Sequence, residues 1–264
     1  MVLERQSKRR FQKGVYLLPS IFTVANMFCG WACVVYAMRG DYIIAAPLIA
    51  FAMILDTLDG PIARATDATS DFGSAFDSFA DLISFGFAPA VLVFLWNLDS
   101  VGRLGWAVGF LYVVATAMRL ARFNIQTTGR DKKYFTGLPS PAAAGVLAAT
   151  VFAYPNGFGF MQESVLALVV VLIPASLMVS RIRYRSFNAL VPARLHPYIT
   201  LLVIASIITA IVIEPQVALL AMAYSYLLSG LLGLVLSRIR RSNVEGNVEV
   251  TEFSRLSERD RSVS

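Results

Sequence analysis

The segment ILDTLDGPIARATDATSDFGSAFDSFADLISFG, residues 54–86, contains six of the seventeen acidic residues of the chain. Long apolar runs lie on both sides of it. An acidic side chain in or near hydrocarbon is energetically costly, so acids in such a setting mark candidate functional sites. The sequence around this segment is therefore expected to build a membrane domain that holds the carboxylates.

The composition of the chain is typical of a membrane protein. Of the 264 residues, 57% are apolar and 15% are charged, and the mean hydropathy is +0.65. Soluble domains have about 45–50% apolar and about 25% charged residues. These values argue against a soluble globular enzyme, a disordered protein and a disulfide scaffold. The expected fold class is all-α, a polytopic bundle of transmembrane helices.

Apolar runs predict about eight spans, each near the ~20 residues that a helix needs to cross a membrane. They lie at about 15–38, 42–65, 72–96, 104–121, 139–160, 164–180, 197–213 and 216–237. Together they form one transmembrane domain, 15–237. A basic segment, 1–14, precedes it. A polar tail of mixed charge, 238–264, follows and is predicted to be disordered.

Lysines and arginines predict the orientation of the spans, because basic residues concentrate in cytoplasmic loops. With eight spans, the strongly basic segments all fall on one side: the N-terminus, the connections after spans four and six, and the end of span eight. Both termini and the acidic segment are therefore expected on the cytoplasmic side. The net charge of +6 then needs no nucleic-acid partner. A bacterial inner membrane fits the size of the chain.

The spacing of four carboxylates is helical. Asp56 and Asp59 are three residues apart, and Asp77 and Asp81 are four apart, so each pair shares a helix face. A short connection lets the two helices run antiparallel, with the pairs facing each other across one interface. Hard divalent cations such as Mg²⁺ or Mn²⁺ relieve the repulsion in such a cluster, and the absence of imidazole and thiolate argues against zinc. Two metal ions would suit a phosphoryl displacement.

Small residues and one arginine accompany the carboxylates. Gly60 follows Asp59, and Gly73 lies in the second helix. A helical glycine costs up to ~1 kcal/mol relative to alanine, so these glycines and Ala63 indicate close approach of a ligand or a neighbouring helix. Arg64, one turn beyond Gly60, could bind a diphosphate through two parallel hydrogen bonds. Helix packing and a charge at the membrane interface are the alternative interpretations.

The segment resembles the signature of the CDP-alcohol phosphotransferase family. The matching pattern is Asp59-Gly60-x-x-Ala63-Arg64, eight residues, Gly73, three residues, Asp77, three residues, Asp81, and Asp56 completes its extended form. The resemblance implies an integral membrane enzyme, usually a homodimer. Such an enzyme uses divalent metal and displaces CMP from a CDP-linked lipid or alcohol with a hydroxyl acceptor.

The same resemblance implies roles for individual residues. Asp56, Asp59 and Asp77 would hold the metal ions. Asp81 would be a further ligand and the general base that takes a proton from the acceptor hydroxyl. The residues implied to contact the CDP-lipid are Asn26, Asp59, Gly60, Ala63, Arg64, Ser70 and Gly73. For Asn26, a hydrogen bond between helices is an equally good interpretation.

Further segments resemble the phosphatidylserine-forming branch of the family: LLPSIFTVANMFCGW at 17–31, LISFGFAPA at 82–90, and ARFN at 121–124 with YFTGLPSPAAAG at 134–145. They imply CDP-diacylglycerol as donor and L-serine as acceptor. Arg119, Arg122 and Asn124, at the inner end of the fourth span, are candidates for binding the serine. An arginine cluster would equally suit glycerol 3-phosphate or an inositol compound, so charge alone leaves the acceptor open.

A cation or proton transporter is the alternative from a different class, because intramembrane acids also bind transported ions. Transporters place such acids near the midplane, often at repeats or broken helices. Here the acids cluster near one face, and no repeat is apparent. Asp67 and Asp71 are expected outside the site, with Asp71 a candidate N-cap of the third helix.

Overall fold

The computed structural model describes residues 17–65, 70–125, 134–157, 163–180, 182–185, 197–230 and 232. Its helices are α1 (Leu17–Met38), α2 (Tyr42–Ala65), α3 (Asp71–Asp81), a π-helical turn (Leu82–Phe87), α4 (Ala88–Trp96), a 3₁₀ turn (Leu98–Val101), α5 (Arg103–Ile125), α6 (Ser140–Ala153), α7 (Glu163–Val179), α8 (Pro197–Ile213) and α9 (215–230). Two strands, β1 (Tyr134–Thr136) and β2 (Arg183–Arg185), complete the described elements. The basic segment 1–14, the tail 238–264 and the loop around Asp67 lie outside the described residues.

The predicted helical membrane fold is confirmed. Among the described residues, four stretches are long and apolar enough to cross a membrane: Ile21–Met38, Tyr42–Ile62, Asp71–Trp96 and Arg103–Ile125. Helices α6, α7 and α8 contribute shorter apolar segments. Each of the eight predicted spans contains a helix, and the number that cross the membrane stays a prediction.

Helices α1 and α2 form an antiparallel hairpin. Gly40 in the connecting turn has φ +79°, a left-handed conformation that glycine adopts without steric cost. Helix α1 packs along α2 and also contacts α3, whereas α2 and α3 have few close backbone contacts within the described part of the chain. Both carboxylate-bearing helices therefore pack more closely on α1 than on each other.

The start of α3 corrects one prediction. The N-cap is Ser70, whose extended backbone lets its hydroxyl accept a hydrogen bond from the Gly73 N–H at 3.0 Å. Asp71 is the first residue of the helix and is exposed. A cap must precede the helix with non-helical backbone angles, and Ser70 meets that condition one residue earlier than the predicted cap.

The core lies between α1, α2, α4, α5, α6 and α7. Helix α6 is its most enclosed element, because ten of its fourteen residues are buried. Many of them are alanines, which let neighbouring helices approach closely. Helix α6 packs against α2, one of the two helices that carry the acidic segment.

A short antiparallel ribbon, which the sequence analysis did not anticipate, pairs β1 with β2 and sets Phe135 opposite Tyr184. The side chain of Tyr184 is fully buried, and burial raises its pKa to about 12. Gly230 of α9 lies directly on the Tyr184 ring, where a Cβ atom would overlap the ring. The ribbon thereby anchors the last described helix to the bundle.

Candidate active site

The carboxylates that the spacing predicted to meet do come together. Asp56 and Asp59 of α2 and Asp77 of α3 each place one carboxylate oxygen within 4.8 Å of the others. Asp81 joins them, because its side chain contacts that of Asp56. Asp59 is buried, with 8% of its surface exposed. Four acidic groups thus converge from two helices on one space.

The chemistry of this cluster fits a hard divalent cation. Carboxylate oxygens are the ligands that Mg²⁺ and Mn²⁺ prefer. The Oδ1 atoms of Asp77 and Asp81 are buried and have no hydrogen-bond partner among the described residues. An acceptor atom in that position needs either a donor or a cation. The residues present therefore suit a metal ion, as the sequence predicted.

Helix α1 supplies two polar side chains to the same region. The Thr23 hydroxyl donates to Oδ2 of Asp59 at 3.5 Å. Asn26, one turn further on, is completely buried, and neither its Nδ2 nor its Oδ1 atom finds a partner within the described part of the chain. Residues three apart share a helix face, so this amide lies on the side of α1 that faces Asp59. The alternative role of Asn26, an interhelical bond through its amide, is not seen there.

The glycines of the motif have different surroundings. A Cβ atom on Gly60 would meet no atom within 4 Å, so the space beside it is open. Gly60 also precedes Pro61, and a side chain before proline disfavours helical backbone angles. A Cβ atom on Gly73 would lie 3.1 Å from the Ser70 hydroxyl oxygen, so Gly73 makes room for the cap. The side chains of Ala63 and Arg64 lie outside the described ones.

The three residues predicted to bind the acceptor lie at the C-terminal end of α5. Arg119 donates to the hydroxyl of Ser140 and is close enough to interact electrostatically with Asp56. Arg122 donates to the backbone carbonyl of Val179 at 3.3 Å, which ties α5 to α7. Of the two arginines, Arg119 is the one whose charge acts on Asp56.

Asn124 has a different neighbour. Its Nδ2 atom donates to the hydroxyl of Ser78 at 3.0 Å, and Ser78 follows Asp77 directly in α3. This bond ties α5 to α3 at the level of the carboxylates. Asn124 therefore braces the helix that carries Asp77.

Sequence reasoning missed two features of the site. Thr23 gave a usable signal, because it lies one turn before Asn26 in a segment already singled out. The π-helical turn that begins directly after Asp81 gave none that periodicity could reveal. Such turns are rare and are frequent at functional sites.

A family model for CDP-alcohol phosphatidyltransferases matches residues 16–180, more than half of the chain. The chain belongs to this family. The matched region contains all four clustered carboxylates and all of the α5 residues discussed above. CDP-alcohol phosphatidyltransferases are enzymes, so both the predicted family and the prediction of an enzyme are confirmed.

Individual relatives extend the match beyond that region. The chain is 38% identical over 220 residues to a CDP-diacylglycerol--serine O-phosphatidyltransferase of Helicobacter pylori, covering 83% of this chain and 91% of that protein. A protein of the same name from Bacillus subtilis is 33% identical over 137 residues, covering 52% of this chain and 76% of that protein. An archaetidylserine synthase of Methanothermobacter thermautotrophicus is 34% identical over 169 residues, covering 63% of this chain and 69% of that protein.

Proposed function

We propose that this enzyme transfers the phosphatidyl group of CDP-diacylglycerol to the hydroxyl of L-serine and releases CMP, which makes it a phosphatidylserine synthase. The observation that carries the reaction class is the convergence of Asp56, Asp59 and Asp77 within 4.8 Å, with Asp81 beside them. The choice of serine is supported by the name of the relative that matches most of both chains. Glycerol 3-phosphate and inositol compounds remain the acceptors to test against it.

Asp81 is the general base in this proposal. Its carboxylate accepts the proton of the serine hydroxyl as that oxygen forms a bond to the phosphorus that carries the lipid. The bond between this phosphorus and the oxygen that bridges it to CMP breaks at the same centre. The electron pair of the broken bond leaves with CMP, so the products are phosphatidylserine, CMP and one proton.

Asp56, Asp59, Asp77 and Asp81 would hold the divalent ions, Mg²⁺ or Mn²⁺, and two ions would suit four carboxylates. When bound, such ions neutralise the charge that develops on the diphosphate and on the departing CMP. Thr23 orients Asp59 for this task through its hydroxyl. A ligating carboxylate that is itself hydrogen-bonded is held in one orientation.

The CDP-lipid would occupy the open space beside Gly60. The side-chain amide of Asn26, buried on the face of α1 toward Asp59, offers a donor for a phosphate oxygen and an acceptor for a donor group of the nucleotide. Ala63, Arg64, Ser70 and Gly73 complete the proposed donor contacts by their match to the family motif. For Ser70, the hydroxyl already accepts one bond as the helix cap, and its proton is left to donate.

For the acceptor we propose Arg119 as the cation that attracts the serine carboxylate, because it lies within electrostatic range of Asp56. Arg122 and Asn124 would support it from the same end of α5. Arg119 and Arg122 carry basic charge at that end, and by the positive-inside rule this charge supports an active site on the cytoplasmic side of a bacterial inner membrane. A homodimer is expected from the family resemblance, and the mass of the detergent-solubilised protein tests it.

The orientation has its own test. A single cysteine at position 67, in a chain whose Cys29 and Cys33 are changed to alanine, should resist an impermeant thiol reagent in intact cells. It should react once the membrane is opened. Labelling from outside intact cells would contradict the proposed topology.

The reaction is tested by CMP release from CDP-diacylglycerol by the purified protein with Mg²⁺ or Mn²⁺. Serine, glycerol 3-phosphate and inositol are supplied in parallel. We expect release that depends on serine and that is lost in Asp77→Asn but kept in Asp71→Asn, a matched change at an exposed residue of the same helix. Release that depends on another acceptor would reject serine while keeping the site, and no release with any acceptor would reject the proposed reaction.

A further inference from the structure

The π-helical turn Leu82–Phe87 comes directly after the carboxylates. Its backbone hydrogen bonds join residues five positions apart. For example, the Ala88 N–H donates to the carbonyl of Ile83. Such a turn places an extra residue in the helix and rotates the residues before it relative to the residues after it. Asp81 is the last residue before the turn, while α4 behind it is fixed in the core. The shape of the turn therefore sets the direction of the Asp81 side chain.

The sequence leaves one carbonyl of this turn without its usual partner. In an α-helix the carbonyl of Phe85 would accept the N–H of residue 89. Residue 89 is proline, which has no N–H to give. The hydroxyl of Tyr112, from α5, donates to the Phe85 carbonyl at 3.1 Å instead. Tyr112 and Phe85 are both completely buried, so water cannot replace this bond.

Two other contacts hold the turn from the opposite side. The Ser84 hydroxyl donates to the backbone carbonyl of Asn26 at 3.0 Å. Gly30 of α1 lies so close to the turn that a Cβ atom there would be 2.9 Å from Ser84 Cα. The turn is thus wedged between α1 and α5, and the Tyr112 hydroxyl is its polar contact with α5.

We propose that Tyr112 is a positioning residue for the reaction: by bonding the Phe85 carbonyl it holds the π-helical turn, and the turn holds Asp81 against the other carboxylates. The inference rests on the proposed function, in which Asp81 accepts the proton of the acceptor. Tyr112 acts through the backbone, because its hydroxyl is bonded inside the core. Its removal should therefore lower turnover while leaving substrate binding in place.

The test compares two tyrosine-to-phenylalanine variants. Tyr112→Phe removes the bond to the turn. Tyr42→Phe is the matched control, because the Tyr42 hydroxyl also donates to a backbone carbonyl, that of Leu95, at 2.7 Å, at the far end of α4. We expect both variants to lose thermal stability. We expect only Tyr112→Phe to lose kcat, on the order of tenfold, with the KM values for CDP-diacylglycerol and serine within about twofold of the wild type.

A second readout does not depend on turnover. The Mn²⁺ concentration that gives half of the maximal thermal shift should rise in Tyr112→Phe and stay unchanged in Tyr42→Phe. If the wild type releases no CMP, the proposed reaction fails and this shift still tests the positioning of Asp81. Equal kcat values for the two variants, or equal Mn²⁺ responses where no turnover exists, would overturn the inference.

If Tyr112→Phe does not fold, Pro89→Ala takes its place. Alanine restores an N–H that can bond the Phe85 carbonyl, so the turn can relax toward an α-helix without an unpaired group. We expect the fold to be kept and kcat to fall. An unchanged kcat in this variant would overturn the role given to the turn.

Discussion

Replacing Asp77 with asparagine removes one charge from the carboxylate cluster and nearly keeps its shape. The ligand atoms of Asp56, Asp59 and Asp77 lie within 4.8 Å of one another, and unit charges at that separation repel by roughly 3.5 kcal/mol at an effective dielectric constant of about 20. Asp77 takes part in two of the three pairs. Its charge therefore destabilises the metal-free protein and stabilises the metal-bound one, so the substitution should act with opposite signs in the two states.

Thermal unfolding of the purified protein measures the effect of this substitution on stability in both the metal-free and the metal-bound state. In excess chelator, Asp77→Asn should melt at the same temperature as the wild type or higher. A metal ion at about 100 times its Kd stabilises a site by about 2.7 kcal/mol, and a chain of this size gains roughly 2–4 °C per kcal/mol. Saturating Mn²⁺ should thus raise the wild-type midpoint by about 5–11 °C, and the Asp77→Asn midpoint by less than half of that.

The control for this experiment is Asp71→Asn, which removes an exposed carboxylate from the start of the same helix. It should behave like the wild type in chelator and in Mn²⁺. Melting of Asp77→Asn below the wild type in chelator, or an equal shift of both proteins by Mn²⁺, would refute the proposed repulsion within the carboxylate cluster.

Three further predictions concern other positions. Asp81→Asn should keep CDP-lipid binding and lose turnover by about 10²–10⁴-fold, the usual contribution of a general base; near-normal turnover would remove Asp81 from that role. Thr23→Val should raise the Mn²⁺ concentration for half-maximal activity about tenfold, since it deletes a donor to a ligand; an unchanged titration would count against it. Gly105→Ala would push a Cβ atom into the Leu98 carbonyl oxygen and should cost about 1–3 kcal/mol of stability. Gly109→Ala on the same helix meets nothing within 4 Å and should gain up to ~1 kcal/mol, so equal melting temperatures would contradict the packing.

Apolar runs, turn residues and helical spacing were sufficient to predict much of this fold. The predicted span 42–65 coincides with α2, Tyr42–Ala65, because a glycine turn and an apolar run mark its ends in the sequence. Helical spacing brought the carboxylates together, since three- and four-residue intervals fix a face whatever the rest of the chain does. Helix α6 ends at Ala153, within the predicted span 139–160, where residues 154–157 turn the chain and Gly157 has φ +83°.

Contacts between residues that are far apart in the sequence could not be predicted from spacing. The bond from Tyr112 to Phe85 joins residues 27 positions apart, and no periodicity reveals it. The neighbouring arginines make Asn124 a candidate acceptor ligand, yet it bonds Ser78, 46 positions earlier. The placement of α2 relative to α3 likewise depends on how α1 packs against both. Spacing predicts which residues share a face, but tertiary packing decides what that face meets.

The most direct test of the central claim traces the acceptor into the product. Purified protein is given CDP-diacylglycerol, divalent metal and isotopically labelled L-serine, and the lipid fraction is analysed together with CMP. We expect labelled phosphatidylserine in a one-to-one ratio with CMP, and its loss in Asp77→Asn. CMP release without labelled lipid, or label transfer that persists in Asp77→Asn, would contradict the proposed reaction.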